Sequence, residues 1–506
     1  QGKLEEAVAC CRQALTLKPN YAGAHNNLGT ALRGQGKLEE AVACYRQALT
    51  LKPAFAEAHN NLGTALWSQG KLEEAVACCR QALTLKRDYA MAHSNLLFMM
   101  NYHQAYTPAA IAAAHRNWND MHARPLAKQV RAYENTRDSE RRLRVGYVSA
   151  DFFTHPAAYF FEPLLAAHDR TNLEIFCYSA GARSDETTNR LREIAGAWRS
   201  IVGMNDETVA RIIEADAIDI LVDLSGHTAG NRLLVFARKP APVQATYLGS
   251  LTTTGLTAID YKLTDRFLTP DGTAERFSEE LVRLPHCFVC YQPPHGAPPV
   301  AALPSSKGGR VTFGSFNNLT KVMPEVVALW SRILRALPET KIILKDRTLA
   351  DPAQCARYLG LFAENGVEAG RVELLPRTTM ADYLAVYDRV DIAFDPFPYN
   401  GCTTTCDALW MGVPVITLAG AMSYSRFGVS LLSNLGLDEL IAATPDKYVE
   451  KAVALANDRK RLMVLRSELR SRMAASPLCD AKAFAKGVEE EYRHMWRRWC
   501  KSSGEM

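Results

Sequence analysis

Apolar positions along residues 1–101 trace one helical pattern three times. "QGKLEEAVACCRQALTLKP" begins at Gln1, and near copies begin at Gln35 and Gln69, a period of 34 residues, which is the length of a tetratricopeptide helix pair. Leu28, Gly29, Leu32, Ala41, Tyr45, Ala48 and Pro53 fall on the pattern, and Leu62, Gly63, Leu66, Ala75, Cys79 and Ala82 repeat it. Each pair has an apolar stripe that only its neighbours can cover, so the units are expected to stack into a curved, all-α solenoid. The pattern stops where Arg87 replaces the proline and Leu97 the glycine. Residues 102–142 then read as a helical connector that turns polar at "YENTRDSERR".

From Leu143 the pattern changes to short β-branched or aromatic runs separated by helical stretches. "LRVGYVSAD", "LEIFCYSA", "DILVDLSG" and "VQATYLG" form a first series. After the Pro/Gly-rich stretch "PPHGAPPVAALPSSKGGR", "VTFGSF", "KIILKD", "VELLP", "DIAFD" and "PVITLAG" form a second. This alternation predicts two α/β domains, each a parallel sheet with helices on both faces, spanning residues 143–300 and 301–506. Ligands of such sheets bind at the carboxyl ends of the strands, here in a cleft between the two halves.

Composition narrows the class. Of 506 residues, 48% are hydrophobic and 22% charged, as in ordinary globular proteins. A net charge of +5 gives no support to a nucleic-acid or membrane-surface role, and no run approaches the ~18 apolar residues of a membrane span. The chain starts inside a repeat, without a secretory leader, so further repeats are expected ahead of Gln1. Thirteen scattered cysteines suit small apolar fillers in a reducing cytoplasm. The pair Cys287 and Cys290, in the strand-like "HCFVCY", has no partner pair, so zinc is not expected.

Candidate chemistry concentrates just past predicted strand ends. In "NGCTTTCDALWMGVP", from Asn400 to Pro414, three threonines and a glycine crowd a helix start. A helix N-terminus carries free N–H groups and partial positive charge. Gly401 allows close approach, Thr403, Thr404 and Thr405 add hydroxyls, and Asp407 could take ribose hydroxyls, which together make a phosphate cradle. The plainer alternative is a threonine N-cap on a core helix. His155, His227 and Lys321 follow strands in both halves and face the expected cleft, Lys321 as a compact cation for a leaving phosphate. There is no Asp-x-Asp triplet, so the helix end and the lysine, not a metal, are expected to neutralise a diphosphate. In the repeats, Asn27, Asn61 and Asn95 share one slot, although Asn is a poor helix former. The expectation is an amide ladder gripping the backbone of an extended peptide; the alternative is a set of amides bonding neighbouring repeats.

These motifs in this order resemble the O-GlcNAc transferase and SPINDLY family: the repeats, then "VGYVSADFFTHP", "DLSGHTAGNR", "KPAPVQATYLG", "GSFNNLTK", "DPFPYNGCTTTCDALWMGVPVITLAG" and "SPLCD…YRHMW". The resemblance covers essentially the whole chain. It implies a B-type glycosyltransferase fold (GT-B), built of two Rossmann-like domains. It also implies metal-independent, inverting transfer, without a cofactor, to Ser or Thr hydroxyls of cytosolic proteins held by the repeats. His155 then matches the catalytic-pocket histidine and Lys321 the lysine on the donor phosphates. Asn318 matches an amide donor to the nucleotide, and Thr403 and Thr404 the diphosphate threonines. Asp407 matches the ribose aspartate, and Leu248 and Gly249 a pair beside the sugar. The departures are Cys402 and Tyr383, where animal O-GlcNAc transferases place histidines, and "GSLTTTG" without the usual Tyr-Pro. Several stretches look more like SPINDLY, whose plant members use GDP-fucose. UDP-GlcNAc is the expected donor, with GDP-fucose as the alternative and an inactive peptide-binding scaffold as the reading from a different class. For the proton of the acceptor hydroxyl, His155, Asp216, a donor phosphate oxygen and a water relay all stay open, as does assembly into a homo-oligomer.

Overall fold

The structure is a computed structural model in which residues 2–249, 251–307 and 309–502 are described; Ser250, within "GSLTTTG", lies outside them. The repeats form the helices Gly2–Leu17, Ala22–Gly34, Leu38–Leu51, Ala56–Ser68, Leu72–Leu85 and Ala90–Met100. Two helices of a pair can approach closely because the pattern glycine lacks a side chain. A Cβ on Gly29 would stand 2.8 Å from the Tyr45 ring, and one on Gly63 would stand 3.0 Å from the Ala75 carbonyl. Tyr45 and Cys79, which fill these gaps, are fully buried.

The asparagines do form a ladder, but one that runs between repeats. Asn61 Nδ2 donates to Asn26 Oδ1 at 3.0 Å, and Asn95 Nδ2 donates to Asn60 Oδ1 at 2.8 Å. The acceptors are the buried neighbours Asn26 and Asn60 of the preceding first helices. The amide nitrogens expected to grip a peptide are thus engaged along the solenoid, which is the alternative reading of this slot. Asn27, first in the series, is exposed, whereas Asn61 and Asn95 are half-buried.

The body holds two parallel sheets. In the first, β1 (Leu143–Ser149), β2 (Leu173–Ser179), β3 (Ala197–Ser200), β4 (Ile220–Asp223), β5 (Val243–Thr246), β6 (Tyr261–Asp265) and β7 (Glu280–Leu284) are ordered β3-β2-β1-β4-β5-β6-β7. In the second, β8 (Thr312–Ser315), β9 (Lys341–Lys345), β10 (Val372–Leu375), β11 (Ile392–Phe394), β12 (Val415–Leu418) and β13 (Ile441–Ala442) are ordered β10-β9-β8-β11-β12-β13. The order reverses direction at β1 and at β8, so both sheets are doubly wound. Each apolar run expected to be a strand is one, except "HCFVCY". That stretch is irregular and buried only from Cys287 to Tyr291, and Cys287 Sγ donates to the Val289 carbonyl at 2.9 Å. Strands β3 and β7, with partly exposed polar sequences, had no apolar run to mark them.

The C-terminal helix Ala481–Lys501 does not belong to the second domain, as its position in the chain implied. It returns to the first, where Val488, Tyr492, Met495 and Trp496 join the core of Leu143, Tyr147 and Phe161. Trp496 Nε1 donates to the Asp138 carbonyl at 2.9 Å, and the Glu489 carboxylate lies 2.8 Å from His168 Nδ1. Its strongly apolar stripe had to be covered, and the open face of the first sheet supplied the cover.

Between solenoid and body lies a nest of histidines. His93 comes from the last repeat helix, His115 from the connector helix Pro108–Trp118, and His122 from the π-helical turn Asn119–Ala123. His227 follows β4 and is fully buried. Its ring nitrogens lie 3.1 Å from Ser94 Oγ and 2.7 Å from the Thr254 carbonyl, and its ring packs on Trp118 and His115. His227 therefore clamps the repeat array to the first domain and is not in the cleft, which corrects its assignment to the pocket. Burial above all pulls His93 and His115 down to about 4, and it lowers His122 and His227 as well.

Two outcomes follow from this packing. Asn61→Ala and Asn95→Ala should each lower stability by about 1 kcal/mol despite the better helix propensity of alanine, because a buried carbonyl loses its donor. Urea unfolding of both variants measures this, and unchanged midpoints would contradict the inter-repeat bonds. For the histidines, the unfolded residue titrates near 6.5 and the folded His93 near 4. As pH falls the unfolded chain takes up the proton first, so this stability is full above about 6.5 and lost on the way to 4. Raised carboxylates such as Glu275, pushed up to about 7 by burial, act in the opposite sense, so the comparison must be with a variant. The melting temperature of His93→Gln, relative to the parent, should rise from about pH 7 to about pH 5; a constant difference would refute it.

Candidate active site

The second sheet ends in a positively charged corner. After β8 the chain makes a 3-10 turn, Leu319–Lys321, capped by Asn318, whose Oδ1 accepts from Thr320 N at 3.1 Å. This turn aims Lys321 at the loop beyond β11, where its Nζ donates to the Asn400 carbonyl at 2.7 Å and lies 4.6 Å from the centre of the Tyr399 ring. Burial pulls the lysine well below its ordinary range, with the nearby Asp395 charge opposing, and the same burial pushes Asp395 upward. Asp395 is itself satisfied by the loop, accepting from Gly401 N at 2.6 Å and Thr417 Oγ1 at 2.7 Å.

The loop then enters the helix Thr403–Trp410, and no side chain caps it: Cys402 holds the N-cap position without a cap hydrogen bond. The threonines are therefore not the N-cap of an ordinary core helix but lie inside its first turn. Thr404 Oγ1 donates to Asn317 Oδ1 at 2.8 Å, which ties the helix start to the β8 loop that carries Lys321. Gly401 must be glycine, since a Cβ would stand 2.5 Å from Asn317 Oδ1 and 2.6 Å from Thr404 Oγ1. Asn400 donates its Nδ2 to the Pro396 carbonyl at 2.9 Å, and its buried Oδ1 has no partner. An uncapped helix end, a lysine and free hydroxyl capacity make an anion site.

Asp407, one turn into this helix, is held by two tyrosines. Tyr291 Oη, from the hinge between the domains, donates to its Oδ1 at 2.7 Å, and Tyr383 Oη donates to its Oδ2 at 2.9 Å. Burial still raises it to about 6. Each carboxylate oxygen keeps a lone pair for a further hydroxyl. Tyr383 and Tyr387 pack on Phe316, forming an aromatic wall beside the carboxylate.

Across the cleft stands the first domain. His155 is the N-cap of the helix Pro156–Ala167, and its Nδ1 accepts from Ala157 N at 3.3 Å. The neutral ring then carries its proton on Nε2 and presents a donor. Its value is lowered, by burial before all else, with Asp151 3.8 Å away opposing. One turn further, Tyr159 is raised above its ordinary range by burial and then by the charge of Asp407, with Arg377 opposing. Beyond β5, Leu248 adopts φ +65 and Gly249 lies against Ser225, where a Cβ would stand 2.2 Å from a backbone carbon. A non-glycine residue in the left-handed region at a strand end is strained backbone of the sort found at ligand sites.

Asp216 does not join this group. It ends the helix Asp206–Ala215, ahead of β4 and therefore at the sheet's amino edge. There it accepts from Tyr178 Oη at 2.8 Å and pairs with Arg199 at 2.7 Å. A carboxylate with those partners is structural, which corrects its assignment as a proton acceptor. Conversely, the site also takes in Asn317, Asp395, Tyr399 and Asn400, which lie in the same motifs as Lys321 and the threonines. Tyr291 had no such signal, because its place beside Asp407 depends on how the hinge folds back.

Known proteins share this architecture. Glycosyl transferase family 41 matches residues 71–293 and 302–488, and the TPR repeat matches residues 1–35 and 29–70. A Petunia hybrida protein named "Probable UDP-N-acetylglucosamine--peptide N-acetylglucosaminyltransferase SPINDLY" is 44% identical over 409 residues, 80% of this chain and 44% of that protein. An Arabidopsis thaliana protein with the same enzyme name and the suffix SEC is 34% identical over 371 residues, 71% of this chain and 38% of that one. The chain thus spans less than half the length of these curated relatives. A solved structure of a mutant O-GlcNAc transferase from Thermobaculum terrenum superposes with a TM-score of 0.95 at 39% identity, covering 99% of this chain and 95% of that one. Repeat helices, two doubly wound sheets and the family match give the conclusion: this chain belongs to glycosyl transferase family 41 and has its GT-B fold.

Proposed function

We propose that the protein transfers a sugar from a nucleoside diphosphate donor to Ser or Thr hydroxyls of proteins, with UDP-GlcNAc as the donor. The uncapped start of the helix Thr403–Trp410 beside Lys321 carries this reading. The names of the relatives support the choice of donor and of a peptide acceptor. The β-phosphate rests on the free N–H groups of Thr403 and Thr404 and on Lys321, while Asn318 offers its Nδ2 to the nucleotide. Asp407 takes ribose hydroxyls, and the Phe316, Tyr383 and Tyr387 wall flanks the base. Leu248 and Gly249 border the sugar.

In the reaction the acceptor oxygen forms a bond to the anomeric carbon as that carbon's bond to the diphosphate breaks, with inversion as in a single displacement. The electron pair leaves on the diphosphate, where the helix end and Lys321 meet the charge that a divalent cation would otherwise balance. His155, presenting Nε2–H, orients sugar or phosphate oxygens. The acceptor proton passes to a phosphate oxygen or to water, since Asp216 is remote. No helix among the described residues is long and apolar enough to cross a membrane, and all thirteen cysteines are free, which suits the cytoplasm.

GDP-fucose is the second reading, favoured by Tyr383 and Cys402 standing where animal O-GlcNAc transferases have histidines. A thermal-shift panel of UDP, GDP, UDP-GlcNAc and GDP-fucose tests both, because a ligand that binds the native state raises its stability. UDP and UDP-GlcNAc should raise the melting temperature most. A larger shift by GDP and GDP-fucose would overturn the donor, and no shift by any would leave the scaffold reading. Lys321→Ala should reduce donor hydrolysis about a hundred- to a thousand-fold without changing the fold by circular dichroism; more than half the parental turnover would refute its role.

A further inference from the structure

The loop that receives Lys321 is also touched by the repeat array. Tyr102, just past the last repeat helix, stacks on Tyr399 with ring centres 4.7 Å apart and planes 8° from parallel. Tyr424 stacks on the same ring at 5.6 Å and 7°. Tyr102 is in turn gripped edge-on by Trp67 at 5.4 Å and Phe98 at 5.5 Å, which pack on one another at 5.6 Å. A continuous run of rings therefore joins two repeat helices to the residue preceding Asn400, and Lys321 is bound to that same pair, by its contact with the Tyr399 ring and its bond to the Asn400 carbonyl.

We propose that Tyr102 is a positioning residue for the transfer: by stacking on Tyr399, the end of the repeat array holds the Tyr399–Asn400 segment, and through it the Lys321 ammonium, where the leaving diphosphate is received. This rests on the reading of Lys321 as the cation at the phosphate site. The loop has open space beside it, a cavity of about 460 Å³ lined by His103, Tyr106, Phe397, Pro398, Met422 and Tyr424. Its own domain fixes the backbone, with Asn400 N donating to the Tyr424 carbonyl at 3.0 Å, and the Tyr399 ring that faces Lys321 is braced between Tyr424 on one side and Tyr102 of the array on the other. An ammonium held by one carbonyl and one ring moves when they move, and a small displacement of a charge-stabilising group is costly in rate. The array is thereby part of the donor chemistry as well as a place to bind acceptors.

The array has a second, distant anchor, Arg357 Nη2 donating to the Gly70 carbonyl at 3.1 Å, so loss of the stack need not undock it. Tyr102→Phe keeps the ring and Tyr102→Leu removes it. Three quantities separate positioning from mere stability: donor hydrolysis without acceptor, affinity for UDP and GDP by calorimetry, and the pH midpoint for acylation of Lys321 followed by mass spectrometry. The groups facing the ammonium are Asp395, Cys402 and Tyr399. Tyr102→Phe should match the parent throughout. Tyr102→Leu should lower kcat about tenfold with affinity changed less than about threefold. Its Lys321 midpoint should rise by about one pH unit as water reaches the ammonium. A Tyr102→Leu protein with parental kcat and midpoint, or one that only melts earlier, overturns the proposal. If that variant does not fold, Phe98→Leu carries the same comparison. A parent that binds neither UDP nor GDP would refute the proposed function, while the Lys321 midpoint would still judge the positioning.

Discussion

The rest of the architecture serves one electrostatic arrangement: an ammonium and an uncapped helix end pointed at one place. Positive charge gathered in a half-dry corner costs free energy unless something negative answers it. Here Asp395 answers only in part, because it is buried and already satisfied by Gly401 and Thr417. The corner is therefore balanced for a further anion. Both halves of the arrangement come from chain crossings at the centre of the second sheet, where β8 and β11 lie side by side. The Asn317–Thr404 bond locks the two crossings together.

The domains that surround this corner are joined more firmly than their linear order suggests. The C-terminal helix crosses back to complete the first domain's core, and Tyr291 in the hinge reaches into the second to hold Asp407. The solenoid is fastened on two sides, by the histidine nest to the first domain and by Tyr102 and Arg357 to the second. Neutral histidines suit such a seam, since each can donate and accept without burying a charge. The result is a repeat array whose end abuts the Tyr399–Asn400 loop.

Much of this was legible from residue order. The 34-residue period determined the solenoid, because an apolar stripe repeated at that spacing has only one way to be covered. The strands rich in Val, Ile and Phe declared two parallel sheets, and the turns and helix starts that follow them carry Lys321, His155, Thr403, Thr404 and Asp407. These are local signals: a strand end, a glycine, a helix start. The family resemblance added roles to residues whose types already suited them.

What the sequence could not decide was where side chains of remote segments meet. Asp216 and His227 occupy plausible positions after or near strands, yet one sits at the amino edge with Arg199 and the other faces the solenoid. The asparagine slot showed which residues repeat but not that Asn61 and Asn95 bond Asn26 and Asn60 of the preceding repeat, because those acceptors stand one residue away from the repeated slot. Tyr102 and Tyr399 lie in separate motifs with no spacing rule between them, and the C-terminal helix carries nothing that names its host. The sequence by itself determined the repeat helices and most of the strands, with the exceptions of β3, β7 and the irregular stretch at Cys287, and the kinds of chemistry these elements carry. Tertiary structure alone decided which of these share a cleft, since contacts between distant segments depend on packing geometry that no local periodicity encodes.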